Sequence, residues 1–154
     1  MRMALKVSPP EEEYLTVGAK LPESAKVLIV EDEFLLALQL EDILSDGGYA
    51  VLGTVPDTAS LAKLGEAPDV ALVDLNLRDG LTGPAIARDL AGRYGARVIY
   101  VTANPAQIDL PAETAVGIVQ KPFSRQSILA AITYALAGCP ETGRPLELEP
   151  LRQV

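Results

Sequence analysis

The chain contains no histidine, no tryptophan and a single cysteine, Cys139. Without histidine, a Ser/His/Asp triad, a Cys/His pair and His-ligated zinc are all excluded by inventory. One cysteine cannot close an internal disulfide, and no charged segment leads into an apolar stretch and a small-residue cleavage site, so a cytoplasmic location is expected. No apolar run approaches the roughly 20 residues of a membrane helix, which predicts no membrane partner. Basic residues are scarce as well: 13 against 21 acids give a formal charge of -8. That sign opposes unaided binding to phosphate backbones, so no nucleic-acid partner is expected.

What remains is enough for one core. The 154 residues, 49% hydrophobic and 22% charged, suit a single domain and lie outside disordered compositions. Residues 1–24, with Pro9, Pro10 and the acids Glu11, Glu12 and Glu13, show no helical period and read as an N-terminal arm. Residues 25–138 carry the domain, and 139–154, with Pro140, Pro145 and Pro150, form an irregular tail. The arm holds three bases against four acids and the tail two against three, which leaves -6 to the domain itself. Leu146, Leu148 and Leu151 alternate with acids in a strand-like way, and Tyr14 to Val17 also look strand-like. Such arms either add to a sheet edge, join two protomers in a homodimer, or stay disordered.

Within the domain, short apolar runs alternate with helical patterns. Val27 to Val30, Ala50 to Val55, Val70 to Val73, Arg97 to Val101 and Val116 to Val119 read as strands. Leu36, Leu40, Ile43 and Leu44 make a helical stripe, ended by Gly47 and Gly48. Asp57 caps a short helix to about Leu64, and a further helix runs near Thr82 to Arg93. Pro105 and Pro111 leave only a short or irregular helix between Asn104 and Thr114. Ser124 caps a last helix through Leu136, with Ile128, Ile132, Ala135 and Leu136 inward. Five strands alternating with helices predict an α/β fold, a five-stranded doubly wound parallel sheet with helices on both faces. Ligand sites in such sheets lie beyond the strands' carboxyl ends.

The residues at those ends form a chemical set. Glu31, Asp32 and Glu33 follow the first strand, Asp74 the third, Thr102 the fourth and Lys121 the fifth. Carboxylates gathered at one edge repel each other unless a cation neutralises them, and oxygen-only ligands select a hard ion, so Mg2+ is expected. Lys121 and Thr102 supply a charge and a hydroxyl for an anion with three oxygens. A carboxylate beside Mg2+ can attack a phosphoryl group, which makes Asp74 the candidate nucleophile.

These residues resemble the receiver domain of bacterial two-component response regulators. The resemblance spans about residues 26 to 137. It is carried by Val27-Leu28-Ile29-Val30-Glu31-Asp32-Glu33, by Leu72-Val73-Asp74-Leu75-Asn76-Leu77 with Gly80 and Gly83 beyond, by Val98-Ile99-Tyr100-Val101-Thr102-Ala103 and by Lys121-Pro122-Phe123. The resemblance implies a flavodoxin-like receiver fold and a phosphorelay role. By it, Asp74 accepts phosphate from a histidine kinase or histidine phosphotransfer protein. Thr102 is then the switch hydroxyl, and Lys121 pairs with the phosphate. Glu31, Asp32, Asp74 and the backbone carbonyl of Asn76 bind Mg2+. The Lys121-Pro122 bond is cis by the same resemblance. The apolar excess at Phe34, Leu35 and Leu38 serves as core contact, as cover for the arm, or, as the family implies, as a docking patch for a kinase-side four-helix bundle.

The sequence departs from the family pattern. Glu31 stands where Asp is commoner, Ile118 replaces an aromatic three residues before the lysine, and Arg78 replaces a proline four residues after the acceptor. Three functions compete. The first is a phosphorylation-dependent switch, not an enzyme, acting through protein contacts on an unknown downstream target; the 18 residues after Leu136 are too few for an output domain. The second is a phosphorylation-independent pseudo-receiver. The third is a magnesium-dependent aspartyl-nucleophile phosphatase, opposed by Asn76, which stands where that class wants a second Asp.

Overall fold

The computed structural model describes residues 25–140 and 142–151. The arm expected over residues 1–24 lies outside the described residues, as do residues 152–154 of the tail. Strands β1 (Lys26–Val30), β2 (Ala50–Val55), β3 (Val70–Val73), β4 (Arg97–Thr102) and β5 (Ala115–Gln120) form one sheet. Its order is β2-β1-β3-β4-β5, and every pair is parallel. Helices α1 (Phe34–Asp46), α2 (Thr58–Leu61) and α3 (Gly83–Tyr94) fill the first three crossovers, and α4 (Arg125–Leu136) follows β5. The doubly wound sheet expected from the strand and helix rhythm is therefore the observed one.

Alternation along the strands sorts the core into two layers. Val27, Ile29, Leu72, Ile99, Val101 and Val119 face α1 and α4, meeting Ala37, Leu40, Leu44, Ile128, Ile132 and Ala135. Leu28, Val30, Ala71, Val73, Val98 and Tyr100 face the opposite layer, meeting Leu61, Ile86, Ala87 and Leu90. The continuous β-branched and leucine runs of the central strands follow from burial on both faces. Because β1 lies between β2 and β3, successive crossovers leave in opposite directions, and a crevice opens at the carboxyl ends of β1 and β3.

Some expected details shift. In α1 the inward positions are Ala37, Leu40, Ile43 and Leu44, while Leu36 is half-buried at the margin. In α4 Leu136 is likewise only half-buried, and Ala131 and Tyr134 join the inward face. The helix capped by Asp57 stops at Leu61 rather than about Leu64; the chain tightens there through Lys63 N–H to Ser60 and Leu64 N–H to Leu61. The connection after β4 holds only a 3-10 turn, Pro105–Gln107, as its prolines require. Ser124 completes a reciprocal capping box with Ser127, so α4 begins directly after Lys121-Pro122-Phe123. The tail is irregular yet docked: Ile118 of β5 and Glu149 form an antiparallel bridge.

Candidate functional site

Four adjacent parallel strands deliver the site. Glu31 and Asp32 follow β1, Asp74 follows β3, Thr102 ends β4 and Lys121 follows β5. The loop after β3 is tied down by backbone bonds: Asp74 N–H donates to Val30 O at 2.9 Å, and Gly83 N–H donates to Leu75 O at 3.0 Å. Gly83 allows α3 to start against this loop, since a Cβ there would overlap the Asp74 carbonyl oxygen. At the far side, Lys121 N–H donates to Thr102 O at 3.0 Å, and the Lys121-Pro122 bond is cis.

The side chains converge as the strand ends dictate. Lys121 Nζ lies 2.9 Å from Asp74 Oδ2 and 3.0 Å from Glu31 Oε1. Glu31 is 2% exposed and Asp74 7%, so two carboxylates are buried side by side with one ammonium between them. Burial pushes the Glu31 carboxyl above its usual range, against the pull of Lys121. Burial also works against the charge on Lys121, but hydrogen bonding to Asp74 and attraction by Glu31 outweigh it and hold the ammonium above its ordinary value. Asp74 Oδ1 accepts from Leu75 N–H at 2.7 Å, and Glu31 Oε2 accepts from Glu33 N–H at 3.2 Å.

Asp32 is exposed at the rim of the same cluster, and carboxylate oxygens of Glu31, Asp32 and Asp74 lie within 4.8 Å of one another. Three convergent carboxylates, two of them buried and sharing a single lysine, suit a hard divalent cation. Thr102 is fully buried, and its Oγ1 accepts from Asn104 N–H at 3.0 Å. Asn76 is exposed, and its side-chain amide donates to Gln107 Oε1 at 2.8 Å.

Sequence reasoning missed the supports around this set. Gln107 was hidden in a proline-interrupted connection without periodicity. Arg78 donates from Nε and Nη2 to Asp57 Oδ2, at 3.1 and 2.5 Å, joining the loop after β3 to the start of α2. Asp79 accepts from Thr58 N–H and from Thr82 Oγ1, at 3.1 and 2.5 Å. Asp57, Arg78 and Asp79 are ordinary turn residues in sequence; only the fold brings them together.

The family described as the response regulator receiver domain matches residues 27–133. The chain belongs to that family. Receiver domains serve two-component signalling, where phosphorylation and magnesium binding are typical. The phyllosphere-induced regulator PhyR of Methylorubrum extorquens is 31% identical over 118 residues, covering 73% of this chain and 44% of PhyR. The transcriptional regulatory protein PdtaR of Mycobacterium tuberculosis is 30% identical over 130 residues, covering 79% of this chain and 62% of PdtaR. The chain thus spans only about half the length of such curated relatives. Among solved structures, the PhyR receiver domain of Erythrobacter litoralis superposes with a TM-score of 0.64 at 35% identity, covering 74% of this chain and 91% of that one. Among the described residues no helix is long and apolar enough to cross a membrane.

Proposed function

We propose that this receiver domain is a phosphorylation-dependent switch in a two-component phosphorelay, with Asp74 as phosphoacceptor. The observation that carries the reading is the buried pair Glu31 and Asp74 bridged by Lys121 at the carboxyl edge of the sheet. In the proposed step, a carboxylate oxygen of Asp74 attacks the phosphorus of a phosphohistidine on a kinase or phosphotransfer protein. The P–N bond breaks, its electron pair stays on the imidazole nitrogen, which takes up a proton, and an acyl phosphate remains on Asp74. Lys121 moves from two carboxylates to a phosphoryl oxygen. The Thr102 hydroxyl donates to another and gives up its bond with Asn104. Glu31, Asp32, Asp74 and the Asn76 backbone carbonyl would hold Mg2+. When bound, that ion offsets the negative charge gathered on donor and acceptor.

Exposed Phe34 and Leu35, at the first turn of α1 beside Asp32, offer the donor protein an apolar landing surface. Output through protein contacts is supported by a solved relative described as the anti-anti-sigma factor PhyR of Bartonella quintana, 28% identical, of which this chain covers 49%. The reading assigns no turnover, because Asn76 offers no carboxyl for acid-base work. It also assigns a cytoplasmic location and no nucleic-acid partner.

The test is phosphotransfer. The protein and its Asp74→Asn variant are incubated with Mg2+ and a small-molecule phosphodonor, and intact mass is recorded. An acid-stable, alkali-labile adduct on the parent alone is expected. An adduct retained by Asp74→Asn refutes the acceptor assignment. A folded protein that neither labels nor binds Mg2+ is a pseudo-receiver, the reading that Glu31 and Ile118 favour.

A further inference from the structure

The outer edge of β5 is an end of the sheet, and such edges recruit further strands through unpaired backbone groups. Here the chain itself supplies the partner. Ile118 N–H donates to Glu149 O at 2.9 Å, and Glu149 N–H donates back to Ile118 O at 2.7 Å. Gln120 Nε2 donates to Glu149 Oε2 at 2.8 Å, and Arg144 Nη1 to Val116 O at 3.2 Å. Leu148 is 1% exposed in the layer beneath α1 and α4, while Leu151 packs on the opposite layer. The segment therefore crosses the sheet edge and seals both sides. Gly117 makes this close approach feasible: a Cβ there would lie 2.7 Å from Glu149 O and 2.8 Å from the Leu148 side chain.

The same segment forms one wall of a groove. Glu149, Pro150 and Leu151 face Ala103 to Asp109, the connection that begins directly after Thr102. Among the described residues no hydrogen bond joins these two walls. The strap is thus fixed to β5 by directional bonds and faces the post-Thr102 wall across the groove without any.

We propose that residues 145–151 are a releasable strap, opened by phosphorylation of Asp74, and that the bared β5 edge accepts an extended segment of a protein partner. That segment would run antiparallel to β5 with an apolar residue over Gly117. The inference rests on the phosphoacceptor reading above. Turning the Thr102 hydroxyl to the phosphoryl group frees Asn104 and draws the 103–109 wall away from the strap. The groove beside Leu151 then widens, and Gln120, next to Lys121, moves beneath Glu149. Linkage makes the effect reciprocal: whatever lifts the strap must favour the phosphorylated state.

The experiment is residue-resolved amide exchange on the full chain, with and without Mg2+ and beryllofluoride, a phosphoryl mimic whose binding is followed by fluorine NMR. Bound beryllofluoride should speed exchange of the Ile118 and Glu149 amides at least about ten-fold while β1 and β3 stay protected, and Asp74→Asn should abolish the change. Gly117→Ala should lift the strap without the mimic and raise beryllofluoride affinity at least about five-fold. Leu148→Asp, outside the sheet, should do the same if Gly117→Ala folds poorly. A labelled peptide copying residues 144–151 should bind the mimic-loaded chain at least about ten-fold tighter than the unloaded chain. Bound mimic with unchanged Ile118 and Glu149 exchange, or equal peptide binding to both forms, overturns the release. Full protection in both strap variants overturns the strap. Absence of any bound mimic instead overturns the phosphoacceptor reading and the coupling with it.

Discussion

Gly83 and Asp74 are in direct backbone contact: a Cβ on Gly83 would overlap the Asp74 carbonyl oxygen and fall 2.6 Å from Leu75 Cα. In a helix free of such contact, alanine would be favoured over glycine by about 0.5–1 kcal/mol. Here the overlap should reverse that sign. Gly83→Ala is expected to destabilise by about 1–3 kcal/mol, as overpacking does in close-packed interiors. Urea unfolding measures it as a lower midpoint with unchanged slope. An unchanged or raised midpoint would mean that α3 has slack against the acceptor loop.

Lys121 bridges two buried carboxylates at once. Removing it in Lys121→Ala leaves Glu31 and Asp74 facing each other without a cation, a situation that costs about 1–3 kcal/mol or more for charged groups. Protonation of Glu31, whose carboxyl burial already pushes upward, limits the loss. The variant should therefore unfold at lower urea than the parent near neutral pH, with the difference shrinking as pH falls and Glu31 becomes neutral. A gap that widens on acidification would contradict this account of the pair.

Asp32→Asn is expected to separate metal binding from folding. Asp32 is exposed, so the substitution should leave stability within about 0.5 kcal/mol. Removing one of the carboxylates that converge within 4.8 Å should nevertheless weaken Mg2+ binding at least about ten-fold. Calorimetric titration gives the affinity, and a smaller Mg2+-dependent rise in Tm provides a second reading. Equal affinities in both proteins would remove Asp32 from the ligand set.

The parts of this arrangement that were legible in the sequence share one physical cause. Buried central strands are continuous apolar runs, so Val27 to Val30 and Val70 to Val73 announce themselves, and the next polar residue must emerge at the sheet's carboxyl edge. Glu31, Asp74, Thr102 and Lys121 could therefore be placed together before any coordinates. Helix faces were read less sharply because Ala37 carries little hydrophobic weight in a pattern, although it is buried and the larger Leu36 is only half so. Contacts between loops were not legible at all. The Arg78–Asp57 pair depends on how two crossovers lie over the sheet, and no periodicity encodes that. The tail pattern at Leu146, Leu148 and Leu151 suggested strand addition, but the choice of β5 depends on Gly117, where a side chain is missing. An absence of atoms leaves no signal in a hydropathy pattern.

The hydrogen bond from Asn76 to Gln107 is 2.8 Å long. It joins the loop after Asp74 to the 3-10 turn Pro105–Gln107, whose chain begins at the proposed switch hydroxyl. Asn76 is exposed, Gln107 is half-buried and their bond is open to solvent, so Gln107→Ala should change stability by no more than about 1 kcal/mol. The acyl phosphate proposed on Asp74 would be lost by water attack on phosphorus, and the Asn76–Gln107 bridge is expected to restrict the approach of that water. Opening the bridge should shorten the half-life of the adduct a few-fold while the yield of labelling at early times stays the same. The time course of adduct loss by intact mass separates these quantities. Gln107→Glu supplies the complementary case: it keeps an acceptor for the Asn76 amide, and so should preserve the half-life where alanine does not. If the alanine and glutamate variants lose phosphate at the same rate, the bridge has no part in protecting the adduct, and water reaches phosphorus by another route.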